Sequence, residues 1–188
     1  MLNLPNSLTL FRIVTVPVFL ILLSSSLYLE ALAVLILGGL TDAADGAIAR
    51  LTGQQTPLGA YLDPVADKLL VMSSFVMLGL IGGLPSWLVV LVLSRDIIIL
   101  FGYGVIYFLV VERLKIQPTA IGKTNTLLQL LTVGVAVLSL YDAALLPASL
   151  RALLIIATAL TTAVSGFQYI HRGLVWLQNR AHSLPRLS

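Results

Sequence analysis

Asp42, Asp45, Asp63 and Asp67 stand close together in a chain of 188 residues that carries only eight acids. The stretch that holds them, TDAADGAIARLTGQQTPLGAYLDPVAD over 41–67, lies between LAVLILGGL and LLVMSSFVMLGLIGG, runs suited to lipid. On a helix Asp42 and Asp45, three apart, share one face, and Asp63 and Asp67, four apart, share another. Carboxylates gathered in one cavity repel each other unless cations hold them together. Hard oxygen donors suit Mg²⁺, Mn²⁺ or Ca²⁺, and four carboxylates are enough for two ions. Two ions bridged in this way stabilise both the attacking and the leaving oxygen of a phosphoryl displacement. Gly46, Ala49 and Gly59 leave room beside the acids for a ligand or a neighbouring helix. Arg50 has the planar fork that grips a phosphate through two donors. Taken singly, a small residue in a membrane helix more often serves packing, and it is the company of acids at helical spacing that shifts the balance.

The elements that must position these groups are helices in a bilayer. Of the residues, 59% are hydrophobic and 10% charged, and the mean hydropathy is +1.03, values that exclude an ordinary soluble domain. Six apolar segments, approximately 8–25, 30–51, 57–81, 85–111, 120–141 and 146–177, have the length to span. The expected fold is therefore all-α, a single polytopic membrane domain over 1–188 with six transmembrane helices. SSSLYLE, TGQQTP, GGLPS, ERLKIQPT and DAALLPAS are the breaks between them. The N-terminal segment has no basic n-region or cleavage site and carries Arg12 within its apolar run, so it reads as a retained first helix. NLPNSLTLFRI suggests a helix start capped near Ser7.

Basic residues set the orientation. With the N-terminus inside, Arg50, Arg113, Lys115, Lys123, Arg172, Arg180 and Arg186 face the cytoplasm, and Arg151 is the basic residue of the outer loops. Both termini and the aspartates then lie on the cytoplasmic side of the cell (inner) membrane, or on the matrix side in an organelle. There is no cysteine for a disulfide or a thiolate site. Nothing resembles a basic nucleic-acid patch interleaved with aromatics.

A charged side chain at mid-membrane costs about 2.5–3.5 kcal/mol on the insertion scale. Asp42, Asp45, Asp63, Asp67 and Asp96 all fall within the expected spans, so they require cations, partners or a function. The run Asp42-x2-Asp45-Gly46-x2-Ala49-Arg50-x8-Gly59-x3-Asp63-x3-Asp67 resembles, without a departure, the signature of the CDP-alcohol phosphatidyltransferases. The resemblance implies six helices and a reaction in which an alcohol hydroxyl attacks the lipid-linked phosphorus of CDP-diacylglycerol and CMP leaves. It implies two divalent ions, Mg or Mn, held by Asp42, Asp45, Asp63 and Asp67, with Asp67 also the general base. It implies contacts to the CDP-lipid from Asp42, Gly46, Ala49, Arg50 and Gly59, and a homodimer. Which aspartate takes the proton rests on the resemblance alone.

The second half of the chain must bind the acceptor. LSRDIII puts Arg95 and Asp96 within the fourth helix, either as an acceptor site or as a mutually neutralised structural pair. PTAIGKTNTLLQ puts Lys123 at the start of the fifth, as a cation for an acceptor phosphate or as an interface anchor. The branch of the family that uses glycerol 3-phosphate shares NLPNSLTLFRI and GAYLDPVADKLLV, but typically has Arg–Glu on helix 4 and a further Arg where this chain has Tyr103. The branch that uses phosphatidylglycerol, giving cardiolipin, resembles this chain in SRD, PTAIGKTNTLLQ and TAVSGFQYIHRG. Phosphatidylglycerol is therefore the expected acceptor and glycerol 3-phosphate the alternative. From other classes, a cation transporter would also place carboxylates in helices, and an intramembrane prenyltransferase would also use an acidic metal site. The transporter fits poorly with acids confined to the inner side, and the prenyltransferase gives no role to Gly46, Ala49 and Arg50. His171 and His182 read as interface residues, Tyr28, Trp87 and Trp176 as an aromatic belt, and Gly79 with Gly83 as a helix-packing or dimer motif.

Overall fold

The computed structural model describes the backbone over 4–52, 57–109 and 120–183, and side chains over 14–41, 68–102, 121–175 and 178. Six helices account for it: α1 (Leu4–Ser24), α2 (Tyr28–Thr52), α3 (Pro57–Leu80), α4 (Ser86–Leu109), α5 (Ala120–Tyr141) and α6 (Ala148–Ser183). Prolines punctuate them as their chemistry demands. Pro57 opens α3, where a missing N–H costs little. Pro85 and Pro147 stand just before α4 and α6, and their carbonyls accept the first amides of those helices, from Leu88 and Val89 and from Leu150 and Arg151. Gly82, at φ 79°, closes α3 in the left-handed region that suits glycine.

Two ends depart from the sequence expectation. The first helix begins at Leu4 and includes Ser7, because proline is tolerated in a first turn and Pro5 therefore does not delay the start. The last helix runs to Ser183 rather than to 177. Its apolar residues run as far as Trp176 and Leu177, but QNRAHS contains no helix breaker, so the backbone continues after the hydropathy has gone. At 36 residues it is about 54 Å long, well beyond a hydrocarbon core of about 30 Å.

The bundle is inverted relative to a soluble protein. Leu80, Phe101 and Phe167 are 79%, 73% and 71% exposed, within an outer surface rich in Leu, Ile and Val. Arg95, Asp96, Asn125, Gln129, Thr132, Thr158, Thr162 and Ser165 are buried. Such a surface suits lipid, and a polar seam inside it acts as glue between helices. Among the described residues, Ile121–Tyr141 and Ala148–Val175 are long and apolar enough to cross a bilayer.

α1 packs on α2 and α3, α2 and α3 both pack on α5, α3 also packs on α4, and α6 packs on α4 and α5. Among the described residues, α2 and α3 are each held against α1 and α5. Phe19, Leu23, Phe75, Leu78, Leu88, Val92, Val133 and Val137 fill the core. Gly79 and Gly83 serve this packing. A Cβ on Gly79 would sit 2.9 Å from Val89 of α4, and one on Gly83 2.9 Å from Leu140 of α5. Gly83 lies beyond the end of α3, in the turn, so the pair is not one helical stripe.

Between α5 and α6 the hydroxyls of Thr132 and Thr158 bond at 2.7 Å, and Thr158 also reaches the Leu128 carbonyl at 3.3 Å. Thr132→Val is expected to cost about 0.5–2 kcal/mol, the range of interhelical hydrogen bonds in membranes. Leu88→Ala, in the apolar core, is expected to cost about 2–5 kcal/mol. Unfolding in mixed micelles measures both.

Candidate functional site

The four aspartates fall on two helices. Asp42 and Asp45 lie in the second half of α2, with Gly46, Ala49 and Arg50 following them, and Gly59, Asp63 and Asp67 lie in the first half of α3. Helical backbone at these positions supports the three- and four-residue spacings as shared faces. Their side chains lie outside the described residues, as do those of Asn6, Arg12, Tyr103, Trp176 and His182. Carboxylate donors of this kind fit Mg²⁺ or Mn²⁺ by type.

Immediately after Asp67 the described side chains begin with Lys68, and they lead into a buried charged junction. Lys68 Nζ lies 2.5 Å from Asp96 Oδ1. Arg95 Nη1 lies 2.6 Å from the same oxygen. Arg95 Nη2 donates to Ser165 Oγ of α6 at 2.5 Å, and the guanidinium stands 5.6 Å from the centre of the Tyr169 ring. Groups from α3 and α4 therefore meet on one carboxylate, and Arg95 ties α6 to them through Ser165. Asp96 is fully buried and Arg95 is 6% exposed, so neither charge is tolerable without the other. Gly166 makes room, since a Cβ there would come within 3.3 Å of the Arg95 stem.

One helical turn along α6, Asn125 joins the same face. Its Oδ1 accepts from Thr161 Oγ1 at 2.9 Å and from Thr162 Oγ1 at 2.8 Å. The junction is not saturated: Arg95 Nε, Asp96 Oδ2, Asn125 Nδ2, Gln168 Oε1 and both polar atoms of Gln129 are buried and lack a hydrogen-bond partner. Such groups are rare and call for a ligand or water. Arg95 Nε and Asn125 Nδ2 donate, while Asp96 Oδ2 and Gln168 Oε1 accept, a mixture that a hydroxylated headgroup satisfies.

Of the acceptor residues expected from the sequence, Arg95 and Asp96 come together. Lys123 is exposed on the first turn of α5, outside this junction, while Asn125 two residues later is buried. His171 is exposed and stacks on Phe167 at 6.3 Å, in keeping with an interface residue. Trp87 is 55% exposed at the start of α4, as a belt residue would be. Sequence reasoning missed Lys68, Ser165, Tyr169 and Gln168. Lys68 carried a usable signal, because a lysine in an apolar helix demands a carboxylate and Asp96 was the acid left over.

A family description matches the chain over residues 2–164, that of the CDP-alcohol phosphatidyltransferases. The chain belongs to that family. It is an enzyme, a CDP-alcohol phosphatidyltransferase. It is 37% identical over 179 residues to a Mycobacterium tuberculosis protein named "Probable phosphatidylglycerophosphate synthase", covering 92% of this chain and 82% of that one. It is 32% identical over 190 residues to human "Cardiolipin synthase (CMP-forming)", covering 91% of this chain and 62% of the human one. With the Bacillus subtilis "CDP-diacylglycerol--glycerol-3-phosphate 3-phosphatidyltransferase" the identity is 28% over 193 residues, 92% and 95% of the two chains. The relatives of this phosphatidyltransferase thus divide, by name, between phosphatidylglycerophosphate and cardiolipin synthases.

Proposed function

We propose that this phosphatidyltransferase moves a phosphatidyl group from CDP-diacylglycerol to phosphatidylglycerol, giving cardiolipin and CMP. The acceptor hydroxyl forms a new bond to the lipid-linked phosphorus, the bond from that phosphorus to CMP breaks, and the hydroxyl proton passes to Asp67. Asp42, Asp45, Asp63 and Asp67 would hold two divalent ions, Mg or Mn, which when bound neutralise the carboxylates and polarise phosphate oxygens. Gly46, Ala49, Arg50 and Gly59, with Asp42, would receive the CDP-lipid. Residues 1–188 act as one domain with six spanning helices in the cell (inner) membrane. The positive residues keep both termini and the active site on the cytoplasmic side, and a homodimer follows from the family resemblance.

What supports the choice of acceptor is the buried polar junction beside Asp67, where Lys68 and Arg95 both meet the carboxylate of Asp96. The unsatisfied donors and acceptors of Arg95, Asp96, Asn125 and Gln168 suit the glycerol hydroxyls of the headgroup. A second reading, transfer to glycerol 3-phosphate, is favoured by the names of the mycobacterial and Bacillus relatives, and Lys123 would then supply the further cation.

Purified protein in lipid micelles with CDP-diacylglycerol and Mg²⁺ or Mn²⁺ is expected to release CMP with phosphatidylglycerol and to form cardiolipin. Product from glycerol 3-phosphate alone would reverse the choice, and no CMP with either acceptor would remove the proposed reaction.

A further inference from the structure

At the far end of the bundle from the aspartates the structure holds a cavity of about 130 Å³. Its wall is made by Gly82 and Gly83 of the α3–α4 turn, Thr132 and Ser139 of α5, and Arg151 of α6. Asp67 and the end of α3 at Leu80 are separated by about 20 Å of helix, so this cavity is not part of the catalytic region. Its remaining lining is apolar, from Leu84, Val135, Leu140 and Ile155 among others.

Arg151 is the anomaly. It is half-buried, one turn into the apolar run of α6, and its guanidinium has no acid among the residues that line the cavity. Glu30 and Asp142 are exposed and lie outside the lining, and Asp142 Oδ1 already accepts from the Ala144 amide at 2.8 Å. The hydroxyls beside it are engaged elsewhere, Ser139 with the Val135 carbonyl and Thr132 with Thr158. Recognition of charge in this cavity therefore falls to one arginine fork, above a largely apolar wall.

We propose that this cavity binds the phosphate ester of an anionic lipid, with the phosphate on Arg151 and the first acyl methylenes along the α5–α6 wall. An arginine fork matches a phosphate through two parallel donors, and the apolar lining rewards an amphiphile over a free ion. The chemistry on offer is thus a monoanionic phosphodiester carrying hydrocarbon. This second lipid site does not depend on which alcohol the enzyme uses.

Thermal unfolding of the purified full chain in detergent tests it, with three probes. They are phosphatidylmethanol (anionic but without an acceptor hydroxyl), phosphatidylcholine, and inorganic phosphate. Phosphatidylmethanol is expected to raise the Tm of the unsubstituted protein by about 5 °C at saturating concentration, with phosphatidylcholine and phosphate giving less than about 1 °C. Arg151→Gln is expected to lose that shift while keeping CMP release within about twofold, because Arg151 is remote from the aspartates. Ala136→Leu, which fills the cavity and leaves the charge in place, is expected to lose it too. A shift in Arg151→Gln equal to that of the unsubstituted protein overturns the proposal. An equal response to phosphate alone makes the ligand a free anion and overturns the lipid assignment.

Discussion

Asp67→Asn is expected to abolish CMP release while leaving a folded protein that still binds CDP-diacylglycerol. Amide replaces carboxylate at nearly constant volume, so the helix around it has no steric reason to change. A positioned base contributes about 10²–10⁴-fold to a rate, and loss of an anionic metal ligand adds to that. The expected fall in turnover is thus at least about 100-fold, read as CMP released per minute at saturating acceptor. Tm and nucleotide-lipid retention on the same preparation separate a chemical defect from unfolding. Turnover within about twofold of the unsubstituted protein would remove Asp67 as the base.

The second large effect concerns Asp96. Its carboxylate holds Lys68 of α3 and Arg95 of α4, and Arg95 in turn holds Ser165 of α6. Asp96→Leu removes the carboxylate that both cations share, and removing one partner of a buried pair costs about 3–5 kcal/mol. The expected outcome is a Tm lower by about 6–20 °C for a chain of this size, together with loss of turnover. Replacing all three charges, as in Lys68→Met with Arg95→Met and Asp96→Leu, is expected to recover most of the stability, because apolar groups of similar volume tolerate burial without partners. Turnover should not return with it if the junction binds the acceptor. Recovery of both would reduce Lys68, Arg95 and Asp96 to a structural pair with a spectator.

Asp67 and Asp96 differ in how legible they were. Asp67 belongs to a pattern written within 26 consecutive positions of two adjacent helices, where helical periodicity alone aligns the groups. Asp96 depends on residues brought from α3 and α6, and nothing in LSRDIII states that Lys68 or Ser165 will meet it. The Gly79 and Gly83 pair shows the same limit. Its spacing suggested one helical face, but the turn at Gly82 separates the two residues and gives each a different neighbour, Val89 and Leu140. Likewise Lys123 and Asn125 were indistinguishable as a polar start to α5, yet one is exposed and the other fully buried.

Local properties, then, were determined by the sequence itself: six helices, an apolar exterior, and an acidic signature whose spacing and composition identify the family. These depend on hydropathy, on the 3.6-residue period and on prolines and glycines near the breaks, all of which act over a turn or a span. Only the tertiary structure decided which buried polar groups share a junction. Helix rotation and packing choose those partners, and side chains from positions 68, 95, 125 and 165 meet through contacts that no local period records. The Arg151 cavity is of this second kind, since its wall comes from α5, α6 and the α3–α4 turn, and the lack of an acid in that wall is visible only once they are assembled.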